Sequence, residues 1–250
     1  MRLGQNGAAL RALARRWVPL EARQHLAEAR RRWQDRRAGL VLAVRQGGGH
    51  WPVQAVLQQP VRPGPLSENK RLNLQRGAQA IGQALIEPGQ TWSFWAALGR
   101  PSAARGYAEG RNLVDGELRR HVGGGLCQLS SLLYHLALMA GLEIVERHAH
   151  SIDIYREEDR FTPLGADATV VWGYKDLRLK NPHRVAVSIE VALHEGGLVG
   201  RLRCERPIAN EAPVFVRQRL GADRVRVFTM IGGLAHHVTE YRQRQGLQIR

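Results

Sequence analysis

Cysteine occurs only twice in this 250-residue chain, at Cys127 and Cys204, and never in a CxxC pair. That argues against a disulfide framework and for a reducing compartment. Lysine is almost as scarce: of 37 basic residues, only Lys70, Lys175 and Lys180 are lysines. No clean apolar run marks the start. Arginine interrupts "MRLGQNGAALRALARRWVPL" too often for a secretory h-region, so no signal peptide is read there. No transmembrane segment is read either. The stretch from Val122 to Leu142 has no Asp, Glu, Lys or Arg and is long enough to span a bilayer, but it holds Gly123, Gly124, Gly125, Gln128, Ser130, Ser131 and His135. It reads as a soluble helix. The expected location is cytoplasmic, with peripheral membrane attachment as the alternative. There is no fixed-period repeat and no low-complexity segment.

What is present is charge and apolar content. The formal charge is +15 and hydrophobic residues make up 44% of the chain, enough for a sizeable core. So basic a chain invites an anionic partner, or it reflects arginine-rich coding; charge alone assigns no site. The densest cluster, "ARRRWQDRR" over 29–37, reads as a solvated helix face. Nucleic acid ranks last among the partners, because no reader motif accompanies that cluster. The oligomeric state is left open.

Apolar spacing predicts a helix over 8–37 broken at Pro19, with Leu20, Leu26 and Trp33 as a thin apolar side after the break. "LVLAVRQ" (40–46) is expected as a strand, and "QPVRPGPLSEN" (59–69) as a proline-rich linker. A helix is expected over 70–87, then a strand in "QTWSFWAAL" with Trp92 and Trp95 in the core. "GRNLVDGELRRHV" (110–122) reads as a hairpin turning at Asp115-Gly116. Leu129, Leu132, Leu133, Leu136 and Ala140 form a helical stripe starting near Cys127, with Gly141 as its terminal cap. "LEIVERHAHSI" (142–152), "ATVVWGY", "DLRLKN", "VAVSIEVALHE", "LVGRLRCE", "VFVRQR" and "RVRVFTMI" are expected as strands.

Chemistry concentrates at "HVGGGLCQLSS" (121–131). A helix start carries partial positive charge and unpaired N–H groups, so a thiol at Cys127 ionises more readily. Gly123, Gly124 and Gly125 let the backbone turn tightly with N–H groups aimed inward, a cradle for an oxyanion or ligand. Gln128 is a candidate side-chain donor. On a strand, His148 and His150 share a face with Glu146 and offer a base; Asp167 and Asp176 are candidate orienting groups. Arg147 either binds a substrate carboxylate or phosphate or is an ordinary exposed arginine. Three readings of the cluster stand open. The first is a nucleophilic site of Cys127, His148, His150, Asp167 and Asp176, with no metal or other cofactor. The second is a zinc site using Cys127, His148 and His150, with His121 as a further candidate ligand. The third is a buried cysteine with hydrogen-bonded histidines.

The blocks "PGQTWSFWAALGR", "GYAEGRNLVDGEL", "GGGLCQLSSLLYHLALMAGLEIVERHAHS" and "GADATVVWGYKDLRLKN" resemble the VanW family, first named from B-type vancomycin-resistance clusters. They cover about residues 67–195, in the family's order. Longer members carry secretion or membrane segments and peptidoglycan-associated modules; this sequence resembles the short, stand-alone type. The resemblance implies a setting of cell envelope, peptidoglycan peptides and glycopeptide response. A peptidoglycan-related peptide or precursor becomes the expected partner. The resemblance assigns no reaction.

The expected fold class is α+β, a mostly antiparallel sheet packed against a central Cys-bearing helix with an N-terminal helical extension. The expected division is an Arg-rich extension and linker over 1–66, a core over 67–205 and a strand-rich extension over 206–250. The expected activity is Cys/His-dependent hydrolysis or acyl transfer on cell-wall peptides or precursors. The alternatives are a non-catalytic binding module for an anionic or peptidyl ligand, and a zinc-supported fold.

Overall fold

A computed structural model of the chain describes residues 18–114, 117–153, 155, 157 and 160–243. The helix expected over 8–17 and the hairpin turn at Asp115-Gly116 lie outside them. The described residues form an α+β structure with four α-helices and mostly antiparallel sheets. The helices are α1 (Leu20–Arg37), α2 (Ser67–Ile81), α3 (Phe94–Leu98) and α4 (Leu126–Met139). One four-stranded sheet has the order β1 (Val53–Gln59), β10 (Gly197–Cys204), β9 (Val187–His194), β2 (Gln83–Ile86). A second has the order β11 (Val214–Arg219), β12 (Arg224–Ile231), β13 (Leu234–Gln243), β7 (Ile152–Asp153); its β13–β7 pair is parallel. β3 (Thr91–Ser93), β8 (Arg178–Lys180) and β6 (Glu143–Glu146) make a third sheet, and β4 (Glu109–Val114) pairs with β5 (Glu117–Val122). Among the described residues no helix is long and apolar enough to cross a membrane.

α4 carries the core. Leu129, Leu132, Leu133 and Leu136 are at most 1% exposed. Each such side chain contributes about 1.5–3 kcal/mol when withdrawn from water. The stripe packs against β1 and β10, where Leu132 and Leu136 close over Gly200. α2 lies beside α4 and packs on β9. Trp92 and Trp95 are buried, as expected.

Several expected elements differ. The helix over 70–87 stops at Ile81, because Gly82 takes φ 56 and the chain turns back; Leu85 and Ile86 belong to β2. "QTWSFWAAL" is strand only to Ser93, whose Oγ accepts the Ala96 N–H and starts α3. Residues 40–46 form no strand. They touch one strand in parallel at Leu42–Thr91 and another antiparallel at Gln46–Ala84, so no ladder continues. β6 ends at Glu146, where its partner β8 begins at Arg178, leaving 147–150 as irregular chain. "ATVVWGY" is a turn closed by the Val171–Lys175 bridge, because the backbone before it bonds to α4 and to His148 instead of a strand. β1 and β13 are strands without a matching expectation.

α1 also departs from the expected packing. Leu20, Leu26 and Trp33 are exposed, Leu26 at 67%. The helix is held by charge instead. Arg178 donates to both oxygens of Asp35 at 2.7 and 2.8 Å, and Arg31 pairs with Glu146.

Candidate active site

The glycine turn before α4 is built by close backbone approach. A Cβ on Gly124 would stand 2.1 Å from the Gly110 carbonyl carbon, so only glycine lets β4 lie against the turn. Asn73, fully buried on α2, stitches it: its Nδ2 donates to the Ala108 and Gly124 carbonyls, and its Oδ1 accepts the Ala108 N–H. The three glycine amides are engaged within the protein. Gly123 N–H bonds Ala108 O, Gly124 N–H bonds His121 O, and Gly125 N–H bonds Asn112 Oδ1. The expected inward-facing glycine cradle is therefore absent, because the turn uses those donors to hold its own shape.

Cys127 sits in the first turn of α4, partly buried. Its Sγ lies 3.6 Å from Thr169 Oγ1 and 3.9 Å from the Val170 carbonyl, and it shares its cleft with the His150 imidazole, whose proximity lowers the thiol's pKa. Two serines fix the opposite segment. Ser130 Oγ donates to Ala168 O at 2.7 Å, and Ser131 Oγ accepts the Ala168 N–H at 3.0 Å. Thr169 N–H then donates to His148 O at 2.7 Å, tying the 147–150 chain alongside.

His150 donates from Nδ1 to Asp167 Oδ2 at 2.8 Å, and its backbone N–H reaches the same oxygen at 2.7 Å. Asp167 Oδ1 accepts from Arg147 at 2.9 Å and from the Tyr241 hydroxyl. Arg147 is the buried clamp, its side chain 6% exposed. It also donates to Thr239 Oγ1 and to the Asp167 and Gly165 carbonyls, and it lies over the Tyr134 ring. Arg147 is thus buried, its donors engaged by the Asp167 carboxylate, two backbone carbonyls and two hydroxyls of the protein itself.

The electrostatics follow from this packing. Burial opposes charge on all three groups, but their contacts win. His150 is raised to about 10, because Asp167 and Cys127 outweigh burial. Asp167 is held far below the usual carboxylate range by His150, Arg147 and Tyr241. The Cys127 thiol is lowered against burial by the His150 imidazole, with help from Val170 O and Thr169. Both shifts run in the direction of a thiolate beside an imidazolium. Cys204, buried without such partners, is pushed up to about 11.

The other sequence candidates stand elsewhere. His148 Nε2 bonds Glu146 at 2.9 Å, so the two histidines do not serve one partner; the chain carrying them is irregular, not a strand. Glu146 is lowered to about 2 despite burial, by His148 and Arg31. Asp176, 1% exposed, accepts from Ser93 Oγ and the Trp95 N–H at the start of α3, and its pKa is raised by burial. It orients neither imidazole. Among the described residues no group of three or more His, Cys, Asp or Glu side chains is placed to hold a metal.

A cleft of about 450 Å³ opens over the thiol, lined by Cys127, His150, Gln128, Lys70, Arg111 and Phe161 among others. Gly125 reaches it; Gly123 and Gly124 are not among its lining residues. Gln128 Nε2 is spent on the Pro60 carbonyl at 3.0 Å, leaving its buried Oε1 unpartnered. Gln128 therefore presents an acceptor, where a donor was expected.

The family model described as VanW like protein matches residues 69–203. The chain belongs to the VanW family. Vancomycin B-type resistance protein VanW of Enterococcus faecalis is 31% identical over 160 residues, 62% of this chain and 58% of that one. Uncharacterized protein YoaR of Bacillus subtilis is 33% identical over 133 residues, 53% of this chain and 42% of that one. The chain spans about half the length of the curated relatives it matches. No solved structure matches it. The VanW segment holds Cys127, Arg147, His150 and Asp167, but Thr239 and Tyr241 come from β13, beyond its end. Those two residues, with Lys70 and Asn73, went unread in the sequence. No motif marks them, since each acts through a contact made only on folding.

Proposed function

We propose that this VanW-family protein is a cysteine-dependent acyl hydrolase or acyltransferase acting on cell-wall peptides or their precursors. The observation that carries the reading is that the Cys127 thiol and the His150 imidazole line one cleft, with His150 Nδ1 bonded to Asp167. The Enterococcus relative's name ties that protein to B-type vancomycin resistance, which supplies the context for the substrate. In the reaction, the Cys127 thiolate attacks an amide carbonyl carbon and a C–S bond forms. The Cys127 backbone N–H, in a helix turn whose amides lack intrahelical acceptors, faces the developing oxyanion. As the C–N bond breaks, the His150 imidazolium gives its proton to the leaving amine, producing a thioester. Neutral His150 then takes a proton from water or an acceptor amine, which attacks the thioester and restores the thiol. Asp167 orients the ring and stabilises its charge throughout.

Intact mass spectrometry of the protein with a panel of stem peptides and precursors tests this. A covalent adduct on wild type that is missing from Cys127→Ala is expected. No adduct or turnover on any of them, together with equally slow alkylation of Cys127 and Cys204, would overturn it. The cation-lined cleft also supports a non-catalytic binding module. That reading expects Cys127→Ala to keep full ligand affinity while wild type shows no turnover.

A further inference from the structure

We infer that the cleft takes a substrate bearing a carboxylate close to the reacting carbonyl, and that Lys70 binds that carboxylate. The inference rests on Cys127 being the nucleophile. The ionisable lining, apart from Cys127 and His150, includes four cations, Arg62, Lys70, Arg111 and Arg160, against two aspartates, Asp153 and Asp167. Both aspartates are already answered inside the protein. Asp153 takes Arg160 at 2.7 Å, and Asp167 takes His150 and Arg147. Arg62 lies against the face of Phe161, 5.7 Å from its centroid.

Lys70 is different. Among the described residues its ammonium meets no carboxylate, carbonyl or hydroxyl at bonding distance. Its neighbours by charge are Arg111, which repels it, and Cys127, which attracts it. Burial and Arg111 press its pKa down, and among the described residues Cys127 is the group whose charge answers it. The side chain is seated as well: a Cβ on Gly125 would stand 2.6 Å from Lys70 Cγ, so the stem lies tight against the turn that presents Cys127. Lys70 is placed by α2, far from Cys127 in sequence but lining the same cleft.

The unpartnered Gln128 Oε1 on the neighbouring residue accepts a substrate N–H. An N–H and a carboxylate within a few bonds of an acyl carbon describe a peptide that ends in, or branches to, a free carboxylate.

Two alkylating probes of nearly equal size separate the questions. Iodoacetamide is neutral and iodoacetate carries the carboxylate. In both, the thiolate attacks the methylene carbon, the S–C bond forms, the C–I bond breaks and iodide leaves. The measured quantity is the ratio of the iodoacetate to the iodoacetamide rate at Cys127, in wild type, in Lys70→Gln and in Lys180→Gln. Lys180, in β8, pairs with Glu143 of β6, and its replacement removes the same net charge away from the cleft. The ratio is expected to fall about tenfold in Lys70→Gln, as loss of a charge in a partly buried site would give, and to stay at the wild-type value in Lys180→Gln. Brisk iodoacetamide labelling with the same ratio in all three proteins overturns the carboxylate site alone. A wild-type Cys127 inert to iodoacetamide overturns the nucleophile, and this inference with it. Thermal melting of each variant confirms that rates are compared between folded proteins.

Discussion

At the scale of single residues, the site is a proton held in the wrong place by ordinary standards. His150 binds its proton more tightly in the folded chain than in the unfolded one, rising to about 10. That proton contributes stability that is complete below the ordinary histidine range and drains away as pH climbs through about 10. Asp167 works in the opposite sense: its lowered pKa contributes stability above the ordinary carboxylate range, lost as pH falls below it. Urea unfolding followed from pH 7 to 10.5 should therefore show wild type losing more stability than His150→Gln. Equal losses would mean that the imidazolium is not held by its neighbours. Cys127, His150 and Asp167 were legible in the sequence because a cysteine at a helix start, a histidine and an aspartate follow in workable order. The choice between His148 and His150, and between Asp167 and Asp176, was not. It depends on where β6 stops, which is set by the length of a partner strand far along the chain.

At the scale of elements, the helix that presents the thiol is placed by a contact between two backbones. Gly124 and Gly110 meet with no room for a side chain. Gly124→Ala should cost about 1–3 kcal/mol, as overpacking against rigid backbone does, and should slow Cys127 alkylation by shifting the first turn of α4. Gly221→Ala, where a Cβ meets nothing within 4 Å, should leave the melting temperature and the alkylation rate near those of wild type. Differential scanning calorimetry and labelling rates read both. α4 itself was plain in the sequence, because its leucines keep a 3.6-residue spacing and all point one way. Residues 40–46 and 168–174 misled, since their apolar β-branched content suits a strand whether or not another strand is there to receive it. α3 was hidden because Ser93 caps it inside an aromatic run that reads as extended.

At the scale of the whole molecule, charge joins parts that the apolar core does not. α1 turns its leucines and tryptophan outward and is fastened through Arg178–Asp35 and Arg31–Glu146. Asp35→Asn removes one arm of that fastening while Arg178 keeps Asp176 and Glu146, so a loss of about 2 kcal/mol is expected. Hydrogen exchange should quicken along α1 and remain slow in β9 and β10; uniform quickening would place α1 within the cooperative core. The large positive charge that the sequence displays is thus partly structural, with arginines serving as internal fasteners.

The second sheet adds a matter of timing. Thr239 and Tyr241, which hold Arg147 and Asp167, lie more than a hundred positions after the sulfur. A ribosome delivers them late. Until that strand is made and paired, the nascent chain holds the sulfur without the hydroxyls that brace Arg147 and Asp167.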